Sequence, residues 1–484
     1  MSKKIIYLLS LLMALSLVFA SCKKNGAGDI SGPGPGDNGN DNSPTTEDGL
    51  AESSDWLEKN SGDTIKNDEV ETLVSVGNQA YFRNPVIVVM GDKGSDVVIF
   101  SEKRYKSLGA ANDIGIDGNT AVDIVYSSSI NSGKKWNPAK IVGKNNQAEA
   151  TKDKAYAAPV VFKVAKDKVV VVAASGIGLS RTSQNYDNRF DAGQKSELVY
   201  AEGTYSSGVF TWTKEWTDMT EKVKEEADKI VNGSYNYKQF SVHSGRGFVD
   251  SSNNLYFAVT VSDQGNTSRG QTKEAMGNLI VKGTVSGGSV SQWEVVSGSG
   301  IGFNDIQNNY SKYKESRVIG INGSDPAYIA VGSPYYPNNN VGYNIKGSQP
   351  QASDIPGSEG SPSYLLVDKW YGQTSYDPNK YGQTGNGSPT TQRLYAHVKS
   401  QNNVITMYAL QDDISKFAVK SGTKPYTVKA FPKDDTALAK SSSMDVLGDG
   451  TIVMVAEQGG STQVYKVVYK RFTQKFLATQ LGIK

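Results

Sequence analysis

The chain opens on a short basic stretch, Met1-Ser2-Lys3-Lys4, followed by an apolar run of sixteen residues, Ile5 to Ala20, broken only by Tyr7, Ser10 and Ser16. That pattern predicts the core of a secretion signal over residues 1–21, somewhat short for a spanning helix. From Lys23 to about Ser61 apolar positions thin out and Gly, Pro, Asn and Asp dominate. Residues 22–64 therefore read as a flexible tether that cannot bury enough apolar surface to fold. Beyond residue 65 short apolar runs alternate with Gly, Asp and Asn turns, the pattern of β-hairpins. Six are predicted, at Pro85 to Phe100, Pro159 to Ala173, Gly247 to Val261, Arg317 to Val331, Leu394 to Tyr408 and Met444 to Ala456. One stretch, Thr220 to Val231, is helical in pattern and polar almost all round, which predicts a surface connection.

A second unit repeats among the hairpins. A strand, a polar turn and a Trp recur at Asp123 to Trp136, Glu197 to Trp212 and Asn278 to Trp293, the tryptophans lying 76 and 81 residues apart. Small repeated sheets that cannot stand alone, with no further linker between them, predict radial blades. The fold expected for residues 65–484 is all-β, a six-bladed β-propeller. A long segment at about 333–392, rich in Tyr, Gly and Asn, reads as an insertion between the fourth and fifth hairpins, either a loop that carries function or a disordered or self-packed one.

Charge and composition narrow the chemistry. With 51 Lys+Arg against 49 Asp+Glu the net charge is +2 and basic runs are no longer than a Lys pair, so nucleic acid is not an expected partner. One Cys and two His leave no internal disulfide, no Cys-rich zinc site and no paired-His motif. No metal and no cofactor is specified, and any reaction must rest on carboxylates, Arg, Tyr and hydroxyls. The lone cysteine follows the apolar run directly, in Phe19-Ala20-Ser21-Cys22. That segment resembles the lipobox of bacterial lipoproteins, with Phe19 in place of the usual Leu. The resemblance implies lipidation at Cys22 and an exported protein anchored to a membrane, at the cell surface or on a periplasmic face.

The folded part resembles the bacterial exo-sialidases and their trans-sialidase relatives. Ser129-Ile-Asn131-Ser-Gly133-Lys-Lys-Trp136 is similar to the family's Asp-box, with Asn where Asp is usual. Upstream, Tyr81-Phe82-Arg83-Asn84-Pro85 resembles the Phe-Arg-Ile-Pro motif, followed by Phe100 to Tyr105 and then Asp123-Ile-Val-Tyr126. The resemblance implies a six-bladed propeller acting on terminal sialic acids, in which Arg83 clamps the sugar carboxylate by charge-assisted bonds. It implies further that Glu457 orients Arg83, that Arg104 contacts the sugar or is a rim charge, and that Asp117 is the acid/base catalyst, with Asp113 as runner-up. Glu315, in Lys314-Glu315-Ser316-Arg317, resembles the Glu that activates a nucleophilic Tyr.

Two departures matter. Lys440-Ser441-Ser442-Ser443-Met444 puts Ser441 where the family's nucleophilic Tyr is expected, and no Arg lies between Arg317 and Arg393 to supply the second clamp. Arg317 could assist from the face it shares with Glu315, and Arg393, preceding its hairpin as Arg83 precedes the first, is a candidate third clamp member. The expected activity is hydrolysis of terminal α-linked sialic acid from glycoconjugates. The alternative is a degenerate sialidase-like propeller that binds such glycans as a lectin or adhesin.

Overall fold

The computed structural model describes residues 68–74, 80–105, 122–143, 155–176, 196–230, 237–263, 275–296, 315–320, 326–331, 341–344, 359–370, 390–399, 404–410, 427–431, 438–459 and 465–483. Cys22, the expected tether and Asp117 with Asp113 lie outside them. Strand β1 (Asp68–Val74) is followed by a sheet of β2 (Ala80–Met90), β3 (Asp96–Tyr105), β4 (Val122–Ser129) and β5 (Lys140–Ile141). The next contains β6 (Tyr156–Ala165), β7 (Lys168–Gly176), β8 (Ser196–Ser206) and β9 (Val209–Asp218), and helix α1 (Thr220–Ile230) follows it. Then come β10 (Tyr237–Ser241), β11 (Gly245–Arg246), β12 (Phe248–Val249), β13 (Leu255–Asp263), β14 (Ala275–Ser286) and β15 (Ser289–Val295). Of these, β11 adds in parallel to β6, and the rest form a third sheet.

A three-stranded sheet holds β16 (Glu315–Gly320), β17 (Pro326–Val331) and β18 (Val341–Asn344). A four-stranded one holds β19 (Glu359–Trp370), β20 (Thr390–Lys399), β21 (Val404–Ala409) and β22 (Val428–Phe431). The chain ends in β23 (Leu438–Val446), β24 (Ile452–Gly459), β25 (Tyr465–Phe472) and helix α2 (Gln474–Leu481). Within the last sheet β1 pairs with β25, so the amino-terminal strand completes the carboxy-terminal blade. The architecture is an all-β propeller of antiparallel blades.

Position in the blade explains the strand sequences. In β2 the run Val86 to Met90 is buried on both faces, because an inner strand packs against the blades on either side. Outer strand β9 instead alternates, one face meeting water. The repeated strand, turn and Trp pieces take the third and fourth positions of their blades. In two of them a glycine faces the indole across the ladder, Gly203 opposite Trp212 and Gly283 opposite Trp293. A Cβ at either glycine would collide with the ring, which is why the third strand carries Gly there.

All six predicted hairpins occur as antiparallel pairs. Two expectations are corrected. The segment 333–392 is not simply an inserted loop: it contains β18 and the whole of β19, which is bonded to β20 from Glu359 to Trp370. Its Tyr, Gly and Ser content masked the strand Ser363-Tyr-Leu-Leu-Val367, whose Leu365 and Val367 enter the core. Helix α1 is also more than a surface connection, since Val223 and Ala227 are buried against the core of the second and third sheets while Lys222 and Glu226 pair on its wet side.

Candidate functional site

The best-built polar constellation lies where the first blade meets the last. Inner strand β2 carries a bulge between Arg83 and Val86, and Asn84 takes the left-handed conformation, φ 52°. Asn accepts that geometry more readily than most residues, and Pro85 next to it restrains the chain further. Four side chains hold the bulge. Ser101 Oγ donates to the Arg83 carbonyl at 2.7 Å, and Ser441 Oγ donates to Asn84 Oδ1 at 2.8 Å. Glu457 Oε2 accepts the Asn84 backbone N–H at 2.9 Å, while the Asn84 side chain bonds Glu102.

The bulge aims Arg83. Its Nε and Nη2 both donate to Glu457 Oε1, at 3.0 and 2.8 Å. Glu457 is fully buried, whereas about a fifth of the Arg83 side chain, 21%, remains exposed. Thus a buried acid fixes one side of the guanidinium across the seam, and the arginine keeps an accessible portion at the start of the inner strand.

Beside it stands a second pair on β3. Glu102 and Arg104 are two residues apart and share a face. Arg104 Nε donates to Glu102 Oε2 at 2.6 Å, and Glu102 Oε1 accepts the Ala158 N–H of the next blade at 2.6 Å. Burial works to raise the Glu102 carboxyl, but the Arg104 charge and these hydrogen bonds outweigh it and hold the group below the ordinary Glu value. Arg104 is only 6% exposed, so it is not a rim charge.

A third polar pair was not legible in the sequence as a site. Tyr105 donates to Asp123 Oδ2 at 2.9 Å. Burial raises the Asp123 carboxyl despite that bond and nearby Lys103, and burial with the Asp123 charge raises the Tyr105 phenol. The sequence signal for Asp123 was its place at the head of the Asp123-Ile-Val-Tyr126 segment, which does not name its partner.

Of the remaining expected residues, Arg317 and Arg393 pack against other neighbours. Glu315 begins β16 opposite Val331, and its side chain lies outside the described residues. Arg317 is buried against Gly245, where a Cβ would run into its guanidinium, and beside His243. Burial, then the Arg317 charge, pushes His243 down to about 3, so it is neutral where Nε2 meets Thr260 Oγ1 at 3.0 Å.

Arg393 is corrected in position. It lies on β20, the second strand, opposite Leu366, because β19 and not β20 is the inner strand of that blade. It is therefore not the counterpart of Arg83, and its guanidinium, 3% exposed as a residue, neighbours the Tyr364 phenol, which burial raises and Arg393 lowers. At the expected nucleophile position Ser441 is engaged with Asn84, and the adjacent Ser442 hydroxyl meets Ser363 of β19 at 2.9 Å.

The Asp-box-like segment forms a closed turn. Ser129 Oγ accepts the Gly133 N–H at 2.9 Å, Asn131 Oδ1 accepts the Lys135 N–H at 2.9 Å, and Trp136 sits edge-on to Tyr469 of the last blade at 5.4 Å. Asn thus supplies the acceptor that an Asp would. Among the described residues no group of three His, Cys, Asp or Glu could hold a metal, and no helix is long and apolar enough to cross a membrane.

Comparison with known proteins places the fold. No family model and no curated protein sequence matches the chain. Among solved structures it is similar to the Trypanosoma rangeli sialidase, with TM-score 0.59 and 16% identity over 86% of this chain and 61% of that one. The same enzyme in complex with sialic acid gives 0.55 and 14%, covering 86% and 60%. Hadza microbial sialidase Hz136 gives 0.53 and 12%, covering 81% of this chain and 65% of that one. This chain thus spans about three-fifths of the length of the Trypanosoma enzyme, and at these identities the likeness establishes a sialidase-like propeller fold.

Proposed function

We propose that this protein is a membrane-anchored member of the sialidase group that acts on terminal α-linked sialic acids of glycoconjugates. The propeller has six blades, the sheet of β16 to β18 being the fourth, and the chain is exported and lipidated at Cys22. The observation that carries the reading is the Arg83–Glu457 pair. A guanidinium held from behind by a buried carboxylate, with 21% of its side chain exposed, suits a monoanionic sugar carboxylate, which it can meet by charge-assisted hydrogen bonds. Arg104, oriented by Glu102, contacts the sugar beside it. Asp117 supplies the proton to the leaving glycosidic oxygen and Glu315 serves as the base for the nucleophile.

Ser441 favours a second reading. Its hydroxyl is committed to Asn84, with no phenol at that position, which suits a lectin that recognises sialic acid without cleaving it. One experiment separates the two. The full-length chain is incubated with a fluorogenic α-sialoside beside Arg83→Ala, and both are applied to a sialoglycan array. Release of free sialic acid that Arg83→Ala abolishes is the expected result for the hydrolase. Arg83-dependent array binding without release identifies the lectin, and neither activity from folded protein overturns both readings.

A further inference from the structure

A chamber of about 500 Å³ occupies the propeller centre, toward the hairpin-turn end of the inner strands. Its walls are the later halves of those strands. The hairpin turns converge at this end, where the Gly91 N–H donates to the Lys166 carbonyl at 2.8 Å and Asp92 pairs with the Lys166 ammonium. Arg83 and Asn84 belong to the opposite ends of the strands. On β6, Ala158 meets Glu102 near the Arg83 site and Lys163 reaches the chamber, on the order of 15 Å of extended chain further along.

Charge distinguishes this space from an ordinary packing void. Lys163, Lys166, Arg246 and Arg317 line it, against only Asp368 and Asp445. Asp445 is already engaged, accepting from the Val89 N–H at 2.7 Å and pairing with Arg246. Lys163 is different. Among the described residues its ammonium has no hydrogen-bond or ion-pair partner, although the residue is partly buried in the chamber wall. Burial lowers its proton affinity, Asp445 opposes that, and Arg246 adds to it. A partly buried cation without an acceptor carries a desolvation cost, and the excess of positive charge around it repels itself. A bound anion relieves both.

We propose that the chamber is a binding site for a small oxyanion, phosphate or polycarboxylate in chemistry, with Lys163 as its principal contact. The volume lies within the usual range for small-molecule sites, roughly 300–1,000 Å³. Arg317, for which Gly245 makes room, and Arg246 flank the anion.

The test is calorimetric titration of the full-length chain with inorganic phosphate and, in a second arm, with citrate. At least one is expected to bind saturably, Lys163→Met to weaken that binding by about tenfold or more, and Arg83→Ala to leave it unchanged. A measurement without substitution runs beside it: amine acetylation followed by peptide mapping, in which the bound anion must protect Lys163. Absence of saturable binding in both arms overturns the proposal, as does unaltered affinity in a folded Lys163→Met protein. Equal acetylation of Lys163 with and without the anion also overturns it. Loss of binding in Arg83→Ala would assign the anion to the sialoside site instead, whereas failure of that variant to affect phosphate leaves the sialic acid reading to its own assay.

Discussion

Arg83 and Arg393 are both strand arginines in a propeller, and the fold uses them in opposite ways. Arg83 stands on an inner strand, backed by a fully buried Glu457 and still 21% exposed. Arg393 stands one strand further out, is 3% exposed, and lies against the Tyr364 phenol. An acid behind a guanidinium fixes its direction while leaving part of it for a ligand. Enclosure between strands spends the same charge on the protein interior. The seam between first and last blades thus leaves part of a fixed guanidinium exposed, whereas the blade of β19 to β22 encloses its arginine, with His397 stacked between Tyr395 and Tyr408.

Removing the acid should have the largest effect. In Glu457→Ala the Arg83 guanidinium and the Asn84 N–H both lose their acceptor. The expected destabilisation is about 3 kcal/mol, the low end for breaking a buried pair because Arg83 is partly solvated. Urea unfolding measures it, and a loss below about 1 kcal/mol would mean that the seam does not depend on this pair. Arg393→Met should cost less, about 1–2 kcal/mol for the polar contact it removes, and should leave the sialoside response intact. If the folded Arg393→Met protein loses sialoside recognition at parental stability, the contrast between the two arginines is wrong and Arg393 belongs to the site.

These positions also show what the sequence could and could not reveal. Hairpins were legible because each pairs two apolar runs across a Gly, Asp or Asn turn, a local signal. Arg83 was legible because Phe82, Asn84 and Pro85 flank it in a recognisable motif. The inner strand β19 was hidden, since Glu359-Gly-Ser-Pro-Ser363 reads as loop and only Tyr364 to Val367 is apolar. That one omission moved Arg393 from second strand to first. The Glu102–Arg104 and Tyr105–Asp123 pairs were equally invisible as pairs, because cross-strand partners depend on register and burial, neither of which is written locally.

The smallest effect probes the side of the channel away from the seam, where Arg317 is buried beside a neutral histidine instead of an acid. His243 is held down to about 3 by burial and by Arg317, against about 6.5 in the unfolded chain. Between those values the unfolded chain takes up a proton that the folded chain refuses. Stability therefore falls as pH drops below about 6.5, by about 1 kcal/mol per pH unit, and His243 contributes no slope above it. Glu102 acts in a lower window, because its lowered carboxyl withdraws stability only as pH falls below the ordinary Glu value. Half-buried Asp96 and buried Asp123 and Asp449, whose carboxyls are raised, act in the reverse sense by gaining stability on protonation. The difference between parent and His243→Gln cancels these carboxylates. Unfolding midpoints compared between about pH 5 and pH 6.5 should show a flatter dependence for the variant. Identical slopes would mean that His243 accepts its proton beside Arg317 in the folded state, so that this side of the channel tolerates charge as readily as the seam does.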